Sequence, residues 1–543
     1  ARFSSLPDHS SSSQRPMRSS LLLLLLALSG VSSFKLLVYI PKFAISHIKF
    51  MGVIADTMVD AGHNVTALIS EMDASLPDGT KKANILRISP AEGADHMNTH
   101  FMEGDTDMFE IPADSWTGSM ENARHNSISF CRQCRKLLTT PGLVQKLKDE
   151  HFDAIITENF ENCGVGLSHL ISPRSLIVVS STLLIGGEHM GAAASYVSDR
   201  SAIDGRYYDT FYARLMHVYN RILFRNFIAT QDEPLHQVFE ELYPGTPAFS
   251  ELISHAAVVL PNIEPLTNVA GSTLSKIVPI GGITVGQPKP LNDYWNSVLS
   301  LRPKTVFVSF GSIAKSVLMK PARKAALLEA FSSFPDTTFI WKYENTTDFF
   351  ATFQAAKVPN VVLTEWAPQL DMLADGRISL FISHGGMASC HEVSTFGVPS
   401  LLVPIFGDQP YNTAGLVHNG IADVLDKFDM TDSAKIRKAI GNVLGDQKYK
   451  AAADRIREQL AARPATPAQQ LVSHVEFAAR FGPSKSLRPL SLDLSPIQFW
   501  GLDLILGGAS AIVGAVVSVA VLFSLIRSLI SVVEVRKVHK KIE

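Results

Sequence analysis

Apolar and polar positions fall into short blocks of two kinds along the chain. Residues 35–40 form an apolar run of strand type, 43–61 carry apolar residues at helical spacing closed by Gly62, and 65–69 are apolar again. The strand–helix–strand order recurs through 154–157 and 176–180, as expected of a parallel α/β sheet. Residues 277–303, rich in Pro and Gly, read as a linker. A second series follows, with strands at 305–310, 338–342, 360–363, 380–383 and 400–404, and helices at 321–332 and 387–396. Charged helical segments at 433–444 and 449–462, broken at Gly445, are expected to pack back across the junction. The pattern predicts two doubly wound domains, 34–276 and 304–495, facing a cleft with ligands at the carboxyl ends of the strands.

The two ends follow another pattern. Residues 1–16 begin with Ala1 and are rich in serine, and Met17 reads as the start of a secretory signal peptide at 17–33. Arg18, the apolar run 21–28 and the small residues 29–33 come in the order such a signal requires, with cleavage expected after Ser33. Residues 504–526 contain no charge, and as a helix they would extend roughly 35 Å, enough to cross a bilayer. Asp503 precedes that span, whereas Arg527, Arg536, Lys537, Lys540 and Lys541 follow it, which places the tail 527–543 in the cytosol and the body in the lumen. In a lumenal body the sequons at Asn64 and Asn345 are candidate glycosylation sites, and Asn345 is the better one because Asn64 adjoins a strand.

Charge and composition sharpen this. The 543 residues carry 49 basic and 51 acidic side chains, a net charge of −2, but residues 34–526 alone carry 41 against 48, or −7. A mildly acidic body argues against nucleic-acid binding through a globally basic surface. Four cysteines, Cys131, Cys134, Cys163 and Cys390, are too few for a small disulfide scaffold. Cys131-Arg132-Gln133-Cys134 is a lone CxxC, read as a lumenal disulfide or two buried thiols rather than a redox site.

The candidate chemistry concentrates in residues 366–409. After a strand comes the turn His384-Gly385-Gly386, followed by a helix with Ser389 and Glu392 three residues apart on one face. Two glycines let backbone N–H groups approach an anion, and the helix N-terminus favours negative charge. His384 and Ser389 can donate to phosphate oxygens, while Glu392 can accept from ribose hydroxyls. Trp366 offers a flat face to a base. Asp408 and Gln409 suit sugar hydroxyls at the mouth of the cleft.

This block resembles the nucleotide-sugar signature of the UDP-glycosyltransferase family, which includes the microsomal glucuronosyltransferases, and its wording is most similar to invertebrate and especially nematode members. Ser46-His47, Phe310-Gly311-Ser312, Asp503 and the terminal Lys540-Lys541, similar to a dilysine retrieval signal of the endoplasmic reticulum membrane, extend the resemblance along the chain. It implies the two-domain GT-B fold, with the acceptor in the N-terminal half and UDP-sugar in the C-terminal half. Trp366 and Gln369 would then hold uracil and Glu392 the ribose. Ser312, His384, Ser389 and the Gly385-Gly386 turn would meet the diphosphate, and Asp408 and Gln409 the sugar. Ala388 departs from the family, many of whose members carry a phosphate-contacting Asn there.

His47, at the entrance of the first helix, is the expected base for the acceptor hydroxyl. Glu158, where the family usually has Asp, is expected to orient it. The implied reaction is inverting transfer of glucose or glucuronic acid from a UDP-sugar to a small lipophilic acceptor. No metal or other cofactor is expected; Asp105-Thr106-Asp107 reads as a solvated loop. A homo- or hetero-oligomer fits the same sequence. So does a non-catalytic UDP-sugar-binding subunit of a homologous transferase, which Glu158 and Ala388 keep open.

Overall fold

The computed structural model describes residues 33–96, 108–112, 115–182, 210–269, 273–499 and 501–542. The expected signal peptide, apart from Ser33, and the triplet Asp105-Thr106-Asp107 lie outside the described residues. Twelve strands form two parallel six-stranded sheets among the described residues. The first contains β1 (Lys35–Lys42), β2 (Asn64–Glu71), β3 (Asn84–Ile88), β4 (Ala154–Glu158), β5 (Ser175–Ser180) and β6 (Val258–Pro261), in the order β3-β2-β1-β4-β5-β6. The second contains β7 (Lys304–Ser309), β8 (Thr337–Lys342), β9 (Val361–Thr364), β10 (Ile378–Ser383), β11 (Ser400–Leu402) and β12 (Ala422–Val424), in the order β12-β11-β10-β7-β8-β9. Read from its other edge, the second order repeats the first. Each sheet therefore reverses its winding between its first and fourth strands, where the chain leaves a crevice.

The strands read as continuous apolar runs because helices cover both faces of each sheet. Leu36, Val38 and Ile40 of β1 pack with the helix Ile45–Asp60, while Leu37 and Tyr39 pack with the helices Trp116–Thr139 and Cys163–Ile171. In the second sheet Val306 and Val308 face one cluster and Phe307 the other. Each such fully buried aliphatic side chain contributes roughly 1.5–3 kcal/mol.

Three sequence expectations change. The helices Ser433–Gly445 and Gln447–Ala461 cover the second sheet; the segment that returns to the first domain is the next helix, Pro467–Phe481. Its Leu471, Val475, Ala478 and Ala479 complete the core beneath β1 and β5, and Ser175 Oγ donates to Ala478 O at 2.6 Å. Amphipathic spacing with a Thr466–Gln469 capping box marks this helix, whereas its predecessors spend their apolar faces locally. The linker also shortens. Ile277, Val278 and Ile280 join first-domain clusters, and Trp295, Val298 and Leu299 of the helix Asp293–Leu299 join the second. Finally, the CxxC is no pair. Cys134 is bonded to Cys163, with Cα atoms 5.8 Å apart, and Cys131 is free. Cys134 and Cys163 both belong to the core cluster of one sheet face, from neighbouring helices.

The exchange between domains is reciprocal. Phe109, from the first half, is 2 % exposed inside the core of the second and lies edge-on to Phe310 at 6.2 Å. Arg323 donates to Phe109 O at 3.0 Å and pairs with Glu110 at 2.7 Å. Lys427 Nζ donates to the carbonyls of Met108 (2.7 Å), Ile405 (2.6 Å) and Ile111. The segment 108–112 thus clasps the donor half beside the loop that leads to Asp408.

At the far end, Leu502–Ile542 is one 41-residue helix, fully exposed and apolar enough to cross a membrane by length and composition. The expected span 504–526 lies inside it, and the basic tail with Lys540 and Lys541 continues the same helix.

Candidate active site

At the carboxyl edge of the first sheet, β1 leads through Pro41 into the helix Ile45–Asp60. Its cap, Ala44, offers no side-chain acceptor, so the first-turn N–H groups remain uncapped. His47 lies in that turn and is 8 % exposed. β4 is the neighbour of β1 and ends at the fully buried Glu158. The two meet: His47 Nδ1 and Glu158 Oε1 are 2.7 Å apart. The extra methylene of Glu, relative to the Asp expected from the resemblance, does not prevent contact. Phe43 and Phe160 flank the imidazole, with ring centroids 4.5 and 5.0 Å away. An apolar wall of this kind strengthens the polar pair inside it.

Behind the pair lies a second set of buried acids. Glu161 accepts from Cys163 N at 3.0 Å, and burial pushes its carboxyl up to about 8. Asp232 accepts from Asn162 Nδ2 at 2.8 Å and is pushed by burial up to about 7.

The opposing edge is built from backbone. β7 and β10 are adjacent and in register at Ser309 and Ser383, so the turns after them touch. Gly311 has φ +86°, and a Cβ there would stand 2.7 Å from the His384 ring. Gly386 faces the same ring at the same distance, so the imidazole sits between two glycines. Gly385 has φ +81°, which a side-chain-bearing residue adopts only under strain. Burial pushes His384 down to about 4, with Lys342 adding to the effect, so the ring is neutral at pH 7 and can donate a hydrogen bond without carrying a charge. The helix Met387–Phe396 begins at Gly386 without a side-chain cap, leaving its first N–H groups for an anion. Ser312 is exposed beside this turn.

The remaining candidates divide. Trp366 is 75 % exposed, its indole free to stack. Gln369 Nε2 donates to Glu392 Oε2 at 2.6 Å and to Ser389 Oγ at 3.0 Å. This gathers the uracil and ribose candidates with Ser389, whose hydroxyl accepts from Gln369 and keeps its own proton to donate. Burial raises the Glu392 carboxyl and Gln369 partly offsets the rise; exposed Lys49, on the helix that carries His47, acts on it from the other domain. Asp408 accepts from Asn412 Nδ2 at 2.8 Å; burial raises its carboxyl, and His47 lies close enough to counteract the rise. Gln409 differs from expectation. It is buried, and its Oε1 accepts from Ile405 N at 2.8 Å and Phe406 N at 3.1 Å, because the turn before its helix needs an acceptor. Its amide N–H groups are what it has left for a sugar.

Sequence reasoning missed Ser181, Lys342 and Asn412. Ser181 bonds both members of the His47–Glu158 pair, and Lys342 Nζ donates to Gly311 O at 2.7 Å. A polar residue ending or just following a buried parallel strand was the available signal for the first two. Among the described residues no group of three or more His, Cys, Asp or Glu is arranged to hold a metal ion.

Comparison with known proteins identifies the family and the fold. Residues 35–539 match the family described as UDP-glucoronosyl and UDP-glucosyl transferase. The putative UDP-glucuronosyltransferase ugt-55 of Caenorhabditis elegans is 30% identical over 420 residues, 75% of this chain and 79% of its own length. Human UDP-glucuronosyltransferase 1A10 is 26% identical over 473 residues, 85% of this chain and 86% of its own. Among solved structures, the glycotransferase of kitacinnamycin superposes with a TM-score of 0.56 at 16% identity, covering 83% of this chain and all but 1% of that one, a likeness of fold. The chain belongs to the UDP-glucoronosyl and UDP-glucosyl transferase family and is a glycosyltransferase of the GT-B fold.

Proposed function

We propose that the protein transfers a hexosyl group from a UDP-sugar to the hydroxyl of a small lipophilic acceptor, inverting the anomeric centre, with His47 as general base. The observation that carries this is the 2.7 Å His47–Glu158 contact at the cleft edge, opposite the donor half. With Nδ1 held by Glu158, Nε2 is the nitrogen left to take the acceptor proton as the oxygen attacks the anomeric carbon. The carboxylate stabilises the imidazolium that forms. The bond to UDP breaks in the same step, and its charge is met by the uncapped N-terminus of Met387–Phe396, neutral His384 and Ser312. Trp366, Gln369 and Glu392 hold the nucleoside, and Asp408 with the Gln409 amide holds the sugar. No metal or cofactor enters this scheme.

UDP-glucose is the preferred donor in this reading. Asp408 is a buried acid at the sugar end and can accept from or donate to glucose hydroxyls, whereas a glucuronate carboxylate beside it requires one of the two acids to stay protonated. The catalytic body is lumenal and anchored in the endoplasmic reticulum membrane by Leu502–Ile542, with Lys540 and Lys541 as the retrieval signal. The Cys134–Cys163 disulfide suits an oxidising lumen, and Asn345, exposed in a turn, is accessible for glycosylation.

The full chain, reconstituted in lipid, would be given UDP-glucose and UDP-glucuronic acid in competition, with phenol and steroid acceptors. A β-glucoside as the main product is expected. A predominant β-glucuronide would overturn the donor assignment, and an α-linked product the single displacement. Absence of product from every pair would favour the non-catalytic binding subunit.

A further inference from the structure

β1, β4 and β5 are consecutive in the first sheet, and each delivers one polar residue to the same point on its carboxyl edge. β1 leads to His47, β4 ends at Glu158, and Ser181 is the first residue past β5, where Glu158 is already in register with Val179. Ser181 Oγ lies 2.9 Å from His47 Nδ1 and also donates to Glu158 Oε1, and Ser181 N donates to the same oxygen at 3.2 Å. With the His47 contact at 2.7 Å the three side chains close a triangle.

Glu158 Oε1 therefore receives three donors, whereas its Oε2 is buried with no hydrogen-bond partner. Three donors converging on one oxygen fix the orientation of the carboxylate. A glutamate has one more rotatable bond than the aspartate it replaces in the family pattern, so its carboxylate needs a second anchor to stay on the imidazole. Ser181 is itself held. Its carbonyl accepts from Asn262 Nδ2 at 3.0 Å, and Asn262 N donates to Ser180 O at 2.8 Å, so the end of β6 buttresses the end of β5.

We propose that Ser181 is a positioning residue of the transfer reaction, acting through Glu158 to hold its carboxylate on His47 Nδ1, so that Nε2 faces the acceptor. This rests on the assignment of His47 as the base. Ser181 does not touch substrate in this scheme. Its hydroxyl donates to Glu158 and accepts a share of the His47 Nδ1–H, leaving no proton of its own for the reaction.

The test uses the full chain in lipid, with Ser181→Ala, Ser181→Cys and Ser181→Thr variants alone and in a Glu158→Gln background. Ala and the near-isosteric Cys remove a strong hydroxyl donor and should lower kcat about tenfold or more, with UDP-sugar KM and UDP affinity unchanged. Thr keeps the hydroxyl and should restore most of the rate. In the Glu158→Gln background, removal of the hydroxyl should cost nothing further, because the two changes break one unit. Full activity in Ser181→Ala, an equal and multiplicative loss in the Glu158→Gln background, or a loss of UDP binding with both Ala and Cys would each overturn the proposal. The last outcome would assign the serine to the fold. If Glu158→Gln and His47→Ala themselves leave kcat intact, it is the base assignment that fails, and Ser181 falls with it.

Discussion

The two halves share a strand order and the same local device, an uncapped helix N-terminus after a parallel strand, yet they fill it with opposite materials. At the first edge no glycine stands between Ile40 and His47; the turn is packed with Phe43 and Phe160 around a buried imidazole–carboxylate pair. At the second edge Gly311, Gly385 and Gly386 strip away side chains so that backbone and a neutral His384 face the cleft. A reacting proton needs a group held in one orientation and shielded from water. A diphosphate needs close backbone and room. In the proposed reaction one scaffold supplies both, because the topology fixes where the edges lie and leaves their side chains open.

That contrast can be strained at several points. The largest effect is expected where the halves interlock. Phe109→Ala should empty a site in the core of the second domain and cost about 3–5 kcal/mol of its stability. Denaturant unfolding followed by the fluorescence of second-domain tryptophans would read it. An unchanged transition would mean that the 108–112 clasp does not hold the halves together.

Gly311→Ala comes next. At φ +86°, and with the His384 ring 2.7 Å from the new Cβ, it should weaken UDP affinity about tenfold to a hundredfold, on the order of 1–3 kcal/mol of strain. Calorimetry with UDP alone would show this. The His47–Glu158 edge should be untouched, so a fall in kcat at saturating donor with affinity unchanged would erase the distinction between the two edges.

A third test concerns the buried acids behind His47. Glu161 is raised by burial to about 8, so between its unfolded value near 4.3 and that pH the folded chain holds a proton the unfolded chain has lost. Stability therefore falls as pH rises from about 5 to 8. Glu161→Gln keeps an acceptor for Cys163 N and removes the titration. Thermal melts from pH 5 to 8.5 should show a flatter profile in the variant, with the difference largest at the alkaline end. Parallel profiles would mean that the acid is not carried protonated.

Much of this was legible in the sequence. The helices at 321–332 and 387–396 and the core strands of both sheets announce themselves, because a strand buried on both faces must be apolar throughout. The pairing of His47 with Glu158 was expected from the family resemblance together with their places at a helix start and a strand end, and the two lie 2.7 Å apart. What stayed hidden depends on long-range choices. β3, with most of its side chains exposed, has no apolar run to read, and β12 is three residues long. Cys134 chose Cys163 over its neighbour in the motif because packing of two helices, not spacing, brings sulfurs together. Gln409 carries a second duty the sequence did not show, since its oxygen serves its own turn, and Ser181 went unread because a polar residue just past a buried strand gains meaning only once the adjacent strand ends are placed.

The central claim is that chemistry resides at the first edge and donor binding at the second. Replacing His47 by Ala and measuring kcat at saturating donor and acceptor beside UDP affinity by calorimetry tests it most directly. Transfer should fall by about 10²–10⁴, with UDP affinity held within about twofold. Undiminished transfer, or loss of UDP binding in step with loss of rate, would contradict the account.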